Sequence, residues 1–150
     1  MGSDVAQCEL LDLAGRLHDL GKAAIPDEIL EKPGPHAPDE RRVLERHPIV
    51  GSNMLASLGL GDVSGWVRHQ HERWDGAGFP DGLAGESIPQ QARILAVANA
   101  FDTLISGAGY QSPLSRAQAL AELEREAGAQ FDPAVVEALA SELRDPEYHL

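Results

Sequence analysis

Basic side chains are scarce in this chain of 150 residues: 12 Lys+Arg stand against 24 Asp+Glu, a formal net charge of -12. A field of that sign repels phosphate backbones, and no localised basic patch offsets it, which excludes non-specific nucleic-acid binding. Cysteine is almost absent. Cys8 alone cannot form an intramolecular disulfide, which points to a reducing compartment. No apolar run of about 18 residues occurs, and Met1 to Val5 carries neither a basic region nor an apolar stretch, so membrane spanning and a standard secretion signal are excluded as readings. The expectation is a cytoplasmic protein with no membrane partner. Strand-like alternation and internal repeats are missing too. The length suits one domain, residues 1–150, which typically buries roughly 68–70% of its unfolded surface and needs no disulfide.

What is present is helical periodicity. Leu10, Leu13, Ala14 and Leu17 recur at helix spacing behind a possible cap at Asp4, and Gly21 suits the position past a helix ending near Leu20. Residues 25–30 read as a single turn closed by the breaker run Lys32 to Pro35. A helix starts at Pro38, breaks at His47-Pro48, resumes to Leu58, and breaks again at Gly59 to Asp62, with Asp62 as cap. Val63, Trp66 and Val67 continue it, and their spacing makes Trp66 a core residue. Residues 75–89 form the long irregular, glycine-rich loop, a feature that is often functional. Gln90 to Ser106 reads as a broad buried helix, Ser115 with Gln118 as a capping box, and Asp132-Pro133 as a cap with proline at the first helical position. The expected fold is all-α, a bundle of about six short helices.

Chemistry must come from six histidines among many carboxylates. His18-Asp19 sits at a helix end, where neighbours point about 100° apart, so the pair can serve two metals with the carboxylate bridging. Taken alone, it is better explained by a histidine at the negative end of a helix dipole and an aspartate that tolerates turn geometry. The company of His47 and His71, each near a helix end, shifts the balance toward a site. His36, in a proline-rich loop, and His149, near the end, read as solvated; Cys8 reads as a buried, inert packing residue.

The ordered runs His18-Asp19 with Gly21-Lys22, Ile25 to Gly34, His47-Pro48 with Gly51, His71 to Pro80, Gly82 to Pro89 and Phe131 to Pro133 resemble the HD-GYP family of HD-superfamily phosphohydrolases that open cyclic di-GMP. The resemblance covers roughly residues 10 to 140. It implies an HD-domain fold, metal ligation by His18, Asp19, His47 and His71 with Asp19 bridging, and phosphate contact by Lys22. Arg93 is a second candidate cation for substrate. Asp19 and Lys22 are then the catalytic candidates. Histidine and carboxylate donors suit iron or manganese, and such ions polarise a phosphodiester and activate water. Gly78, Phe79 and Pro80 stand at the family's Gly-Tyr-Pro signature, in a loop that resembles a surface offered to partner proteins such as cyclic di-GMP synthases.

Several positions depart from the pattern. Gln70 replaces the first of two adjacent histidines, Asn99 a metal-binding aspartate, and Ala108 a phosphate-binding arginine. His69 lies about 100° further around the helix and does not stand in for position 70. The family also has an upstream helix with another histidine ligand, and the chain begins after it. That helix's absence would leave Leu10, Leu13 and Leu17 uncovered. The intact set is Asp19, His47 and His71, which predicts one ion rather than two. Two functions follow: an eroded cyclic di-GMP phosphodiesterase, or a catalytically silent signalling module that binds a partner protein through residues 75–89.

Overall fold

The apolar residues of Gln90–Ser106 fall all around the helix they form, so this helix has to pack on more than one side. Leu95 and Val97 lie two residues apart, about 200° around the axis, and they enter two different core clusters. One cluster joins Leu95 to Ala14, Leu55, Val63 and Val67. The other joins Val97 to Leu123, Phe131, Val135 and Val136. The long helix is thus the shared wall of two half-cores, and the site is built in the first half.

The computed structural model describes residues 5–107 and 112–144. In chain order the elements are α1 (Val5–Leu17), a 3-10 turn (Leu20–Ala24), α2 (Asp27–Leu30), α3 (Pro38–Leu44), α4 (His47–Ser57), α5 (Gly61–His69), a 3-10 turn (Gly85–Ser87), α6 (Gln90–Ser106), α7 (Arg116–Arg125) and α8 (Pro133–Arg144). The fold is all-α; among the described residues the β pairing is one isolated bridge, Ala127 with Phe131. The count exceeds the expected six in part because α2, read as a turn, closes one helical turn of its own, while α3 and α4 are separate helices as the His47-Pro48 break implies. Among the described residues no helix is long and apolar enough to cross a membrane.

Local chemistry explains most boundaries. The Ser115 hydroxyl accepts from the Gln118 N–H, and the Gln118 side chain accepts from the Ser115 N–H, closing the expected capping box of α7. Asp132 Oδ1 accepts from Ala134 N at 2.8 Å and caps α8. Asp62 does not cap α5: Leu60 stands at that position without a side-chain bond, and Asp62 lies in the first turn. The proposed cap Asp4 is outside the described residues.

Two other expectations are corrected. α1 ends at Leu17 rather than near Leu20, and the chain tightens into a 3-10 turn in which Lys22 N donates to Asp19 O at 2.9 Å. Leu10, Leu13 and Leu17 pack, partly buried, on the first core cluster. Cys8 is exposed, because it lies on the flank of α1 turned toward an open groove with Ile94 and Ala98.

Candidate metal centre

Two glycines decide where the motifs meet. A Cβ on Gly21 would lie 1.8 Å from the His47 carbonyl oxygen and 2.6 Å from Gly51 N, and one on Gly51 would lie 3.1 Å from Gly21 N. The 3-10 turn and α4 therefore touch backbone to backbone, an approach that only glycine permits. This crossing is the physical content of the spacings His-Asp-x-Gly-Lys and His-Pro-x-x-Gly. It sets Asp19, two residues before one glycine, against His47, four residues before the other.

All four expected metal ligands converge. Asp19 Oδ2 lies 3.4 Å from His18 Nε2 and 2.8 Å from Lys22 Nζ, while its Oδ1 lies 3.7 Å from His47 Nε2. His47 Nε2 is in turn 3.1 Å from His71 Nε2. The two oxygens of Asp19 thus face different partners, as a bridging carboxylate requires. His18 Nδ1 sits 2.6 Å from Gly15 O and His47 Nδ1 2.8 Å from Leu44 O, so each of these nitrogens carries the proton and turns Nε2 toward the cluster. A backbone carbonyl fixing the tautomer in this way is the usual second layer of a histidine metal site.

Charge follows from the same contacts. The Asp19 hydrogen bond raises the His18 pKa above its ordinary value. Burial pushes Asp19 upward, but hydrogen bonds from His18 and Lys22 outweigh it and hold the carboxyl well below the usual range. Burial lowers His47, and burial with the neighbouring His47 pushes His71 down to about 4. At neutral pH Asp19 is ionised and His47 and His71 are neutral, while the Asp19 carboxylate favours the protonated form of His18. An anionic oxygen and imidazole nitrogens with free lone pairs fit a first-row transition ion.

Two of the substituted positions, Gln70 and Asn99, lie beside this cluster. Gln70 is buried, 2% exposed, and its Nε2 donates to His18 O at 2.7 Å, which leaves its Oε1 buried without a partner. Asn99 lines a cavity of about 550 Å³ together with Gln70, His71 and Phe79. It is half-buried and its side chain has no hydrogen-bond partner among the described residues, so it is not the satisfied amide that the apolar run around it suggests. Ala108, with the neighbouring Gly109 to Gln111, is outside the described residues, as is His149.

Arg93 is held elsewhere. Its Nη1 meets Asp132 Oδ2 at 2.5 Å, its Nε donates to Ile88 O at 3.0 Å, and its guanidinium lies over Trp74. It is a strut between α6, α8 and the glycine-rich loop, not a free phosphate clamp. His36 is half-buried and bonds Ile29 O at 2.7 Å, so it braces its loop rather than standing in solvent.

Sequence reasoning missed Glu72. This carboxylate is 4% exposed and accepts from Asp81 N at 2.7 Å and Leu83 N at 3.0 Å, pinning the glycine-rich loop to the end of α5. Arg68 grips Asp81 through two bonds of 2.8 Å, and His69 Nε2 meets the same carboxylate at 2.9 Å. The donor atoms of His69, Glu72 and Asp81 lie within 4.8 Å of one another, a grouping able to hold a metal, but these internal bonds already engage each of them. The only sequence signal was that Glu72 stands beside His71, and periodicity does not tell a ligand from a loop anchor.

The family profile described as HD domain matches residues 1–135. The chain belongs to the HD domain family. The HD-GYP resemblance read from its motifs is borne out by its relatives. The cyclic di-GMP phosphodiesterase response regulator RpfG of Xanthomonas campestris is 43% identical over 144 residues, covering 93% of this chain and 38% of that protein. The 3'3'-cGAMP-specific phosphodiesterase 2 of Vibrio cholerae is 36% identical over 137 residues, covering 89% of this chain and 26% of that protein. Among solved structures, Bd1817, an HDG"Y"P protein from Bdellovibrio bacteriovorus, superposes with a TM-score of 0.72 at 23% identity, covering 95% of this chain and 46% of that one. The chain therefore spans less than half the length of these relatives.

Proposed function

We propose that this domain is a metal-dependent phosphohydrolase acting on the phosphodiester of cyclic di-GMP, with an eroded site and reduced activity. The observation that carries the reading is the convergence of His18, Asp19, His47 and His71, with the His18 and His47 tautomers fixed by backbone carbonyls. Asp19, His47 and His71 hold one ion, iron or manganese by donor type, with His18 on the far oxygen of Asp19. When bound, such an ion supplies Lewis-acid polarisation of a phosphoryl oxygen and an activated water.

The chain's own residues do the rest. Asp19 stays ionised and sets the donor geometry. Lys22 Nζ, held 2.8 Å from Asp19 Oδ2, offers a cation beside the cluster to a non-bridging phosphate oxygen. The cavity beside His71 takes part of the dinucleotide. The relatives named for cyclic di-GMP and for 3'3'-cGAMP favour a cyclic dinucleotide.

One observation favours a second reading. Gln70 contributes a neutral amide already bonded to His18 O where an imidazole would bind metal, which suits a catalytically silent module that meets a partner protein, of the cyclic di-GMP synthase type, through residues 75–89. Hydrolysis of cyclic di-GMP with added Mn²⁺ separates the two. The first reading expects slow turnover that Asp19→Ala abolishes. Turnover unchanged in Asp19→Ala removes the site assignment, and no turnover in either form leaves the silent module.

A further inference from the structure

The three clustered histidines are not braced alike. His18 and His47 each place Nδ1 within hydrogen-bonding distance of a carbonyl three residues earlier. His71 has no such brace; among the described residues its ring nitrogens meet only His47 Nε2. An imidazole held by one neighbouring nitrogen is free to turn about χ1 and χ2 unless something packs on its face.

The glycine-rich loop supplies that packing. The Phe79 ring stacks on the His71 ring with centroids 5.1 Å apart and planes 19° from parallel, and Phe79 N donates to His71 O at 3.2 Å. On the other side His47 meets His71 edge-on, with centroids 4.9 Å apart at 73°. Such close docking is possible because Gly78 has no side chain. A Cβ there would lie 2.3 Å from Arg73 N and 2.6 Å from His71 O. Glu72 and Arg68 then hold the far side of the loop at Asp81 and Leu83.

We propose that Phe79 is a positioning residue that sets the orientation of the His71 imidazole, the stack doing for His71 what a backbone carbonyl does for His18 and His47. The inference deepens the proposed metal site and rests on His71 being a ligand. It gives Gly78 and Phe79 a role inside the chain that needs no partner protein. The hydroxyl that tyrosine would add is not required, because the ring face makes the contact.

Co²⁺ titration of the metal-free protein, read by visible absorption, tests this alongside NMR of the histidine ring protons. Phe79→Leu should weaken Co²⁺ binding by about tenfold or more, the usual effect of losing a group that orients a ligand. Phe79→Tyr should bind within about twofold of the unmodified chain. In the metal-free protein, the ring-current shift of the His71 protons should persist in Phe79→Tyr and vanish in Phe79→Leu, while His18 resonances stay in place. Equal Co²⁺ affinity in Phe79→Leu and the unmodified chain would overturn the positioning role alone. Equal Co²⁺ affinity in His71→Ala and the unmodified chain would overturn both the role and the site on which it rests. Should Phe79→Leu fail to fold, Phe79→Met, which fills the space without a ring, carries the same expectation.

Discussion

Gly21→Ala should destabilise the domain by about 4 kcal/mol or more, a large effect for a single substitution. The added Cβ would sit 1.8 Å from the His47 carbonyl oxygen and 2.6 Å from Gly51 N, and both neighbours are backbone of α4. Neither can turn aside as a side-chain tip would. Relief requires the 3-10 turn and α4 to separate, which opens the first core cluster where α4 contributes Leu55. Domain stabilities are about 5–15 kcal/mol, so much of the margin disappears. Gly65→Ala in the half-buried middle of α5 is the matched control. Nothing lies within 4 Å of its Cβ, and a helix-interior glycine to alanine change is expected to stabilise by about 0.5–1 kcal/mol. Urea unfolding of both variants checks the pair, and a Gly21→Ala midpoint near that of the unmodified chain would contradict the backbone crossing.

The second large effect is a gain. Gln70→His, Asn99→Asp and Ala108→Arg together should raise cyclic di-GMP hydrolysis on the order of a hundredfold, while each alone should raise it less than about tenfold, since groups that act as a unit are not additive. Gln70 and Asn99 line one cavity with His71, so two repaired ligands would face the existing cluster from the end of α5 and from α6. Position 70 is already buried and beside His18, which places an imidazole there without a new cavity. Two ions stabilise attacking and leaving oxygens together, so a half-repaired second site gains little. Initial rates for the four variants decide it. Additive single effects would contradict the cooperative reading.

Much of this was legible in the sequence because it depends on local rules. The cap at Asp132, the capping box at Ser115 and the proline-marked start of α3 follow from side chains within a few residues of the backbone groups they serve. The cluster was legible through motif spacing, and Gly21 and Gly51 supply the physical reason for that spacing. The failures are residues whose role depends on a distant partner. Arg93 looks like a spare cation until Asp132 lies beside it, Cys8 looks buried until the helix face it occupies is known, and Glu72 is silent until the loop at Asp81 and Leu83 returns to it. For Phe79 the sequence shows the loop that carries it, and only the fold shows the imidazole beneath its ring.

Metal content tests the central claim most directly. The account holds that His18, Asp19, His47 and His71 form one working site around the shared Asp19 carboxylate. Elemental analysis after Mn²⁺ or Fe²⁺ loading and exhaustive dialysis should find about one tightly held ion per chain, and none in Asp19→Ala at unchanged helicity by circular dichroism. Two tightly held ions per chain, or one ion retained in Asp19→Ala, would contradict it.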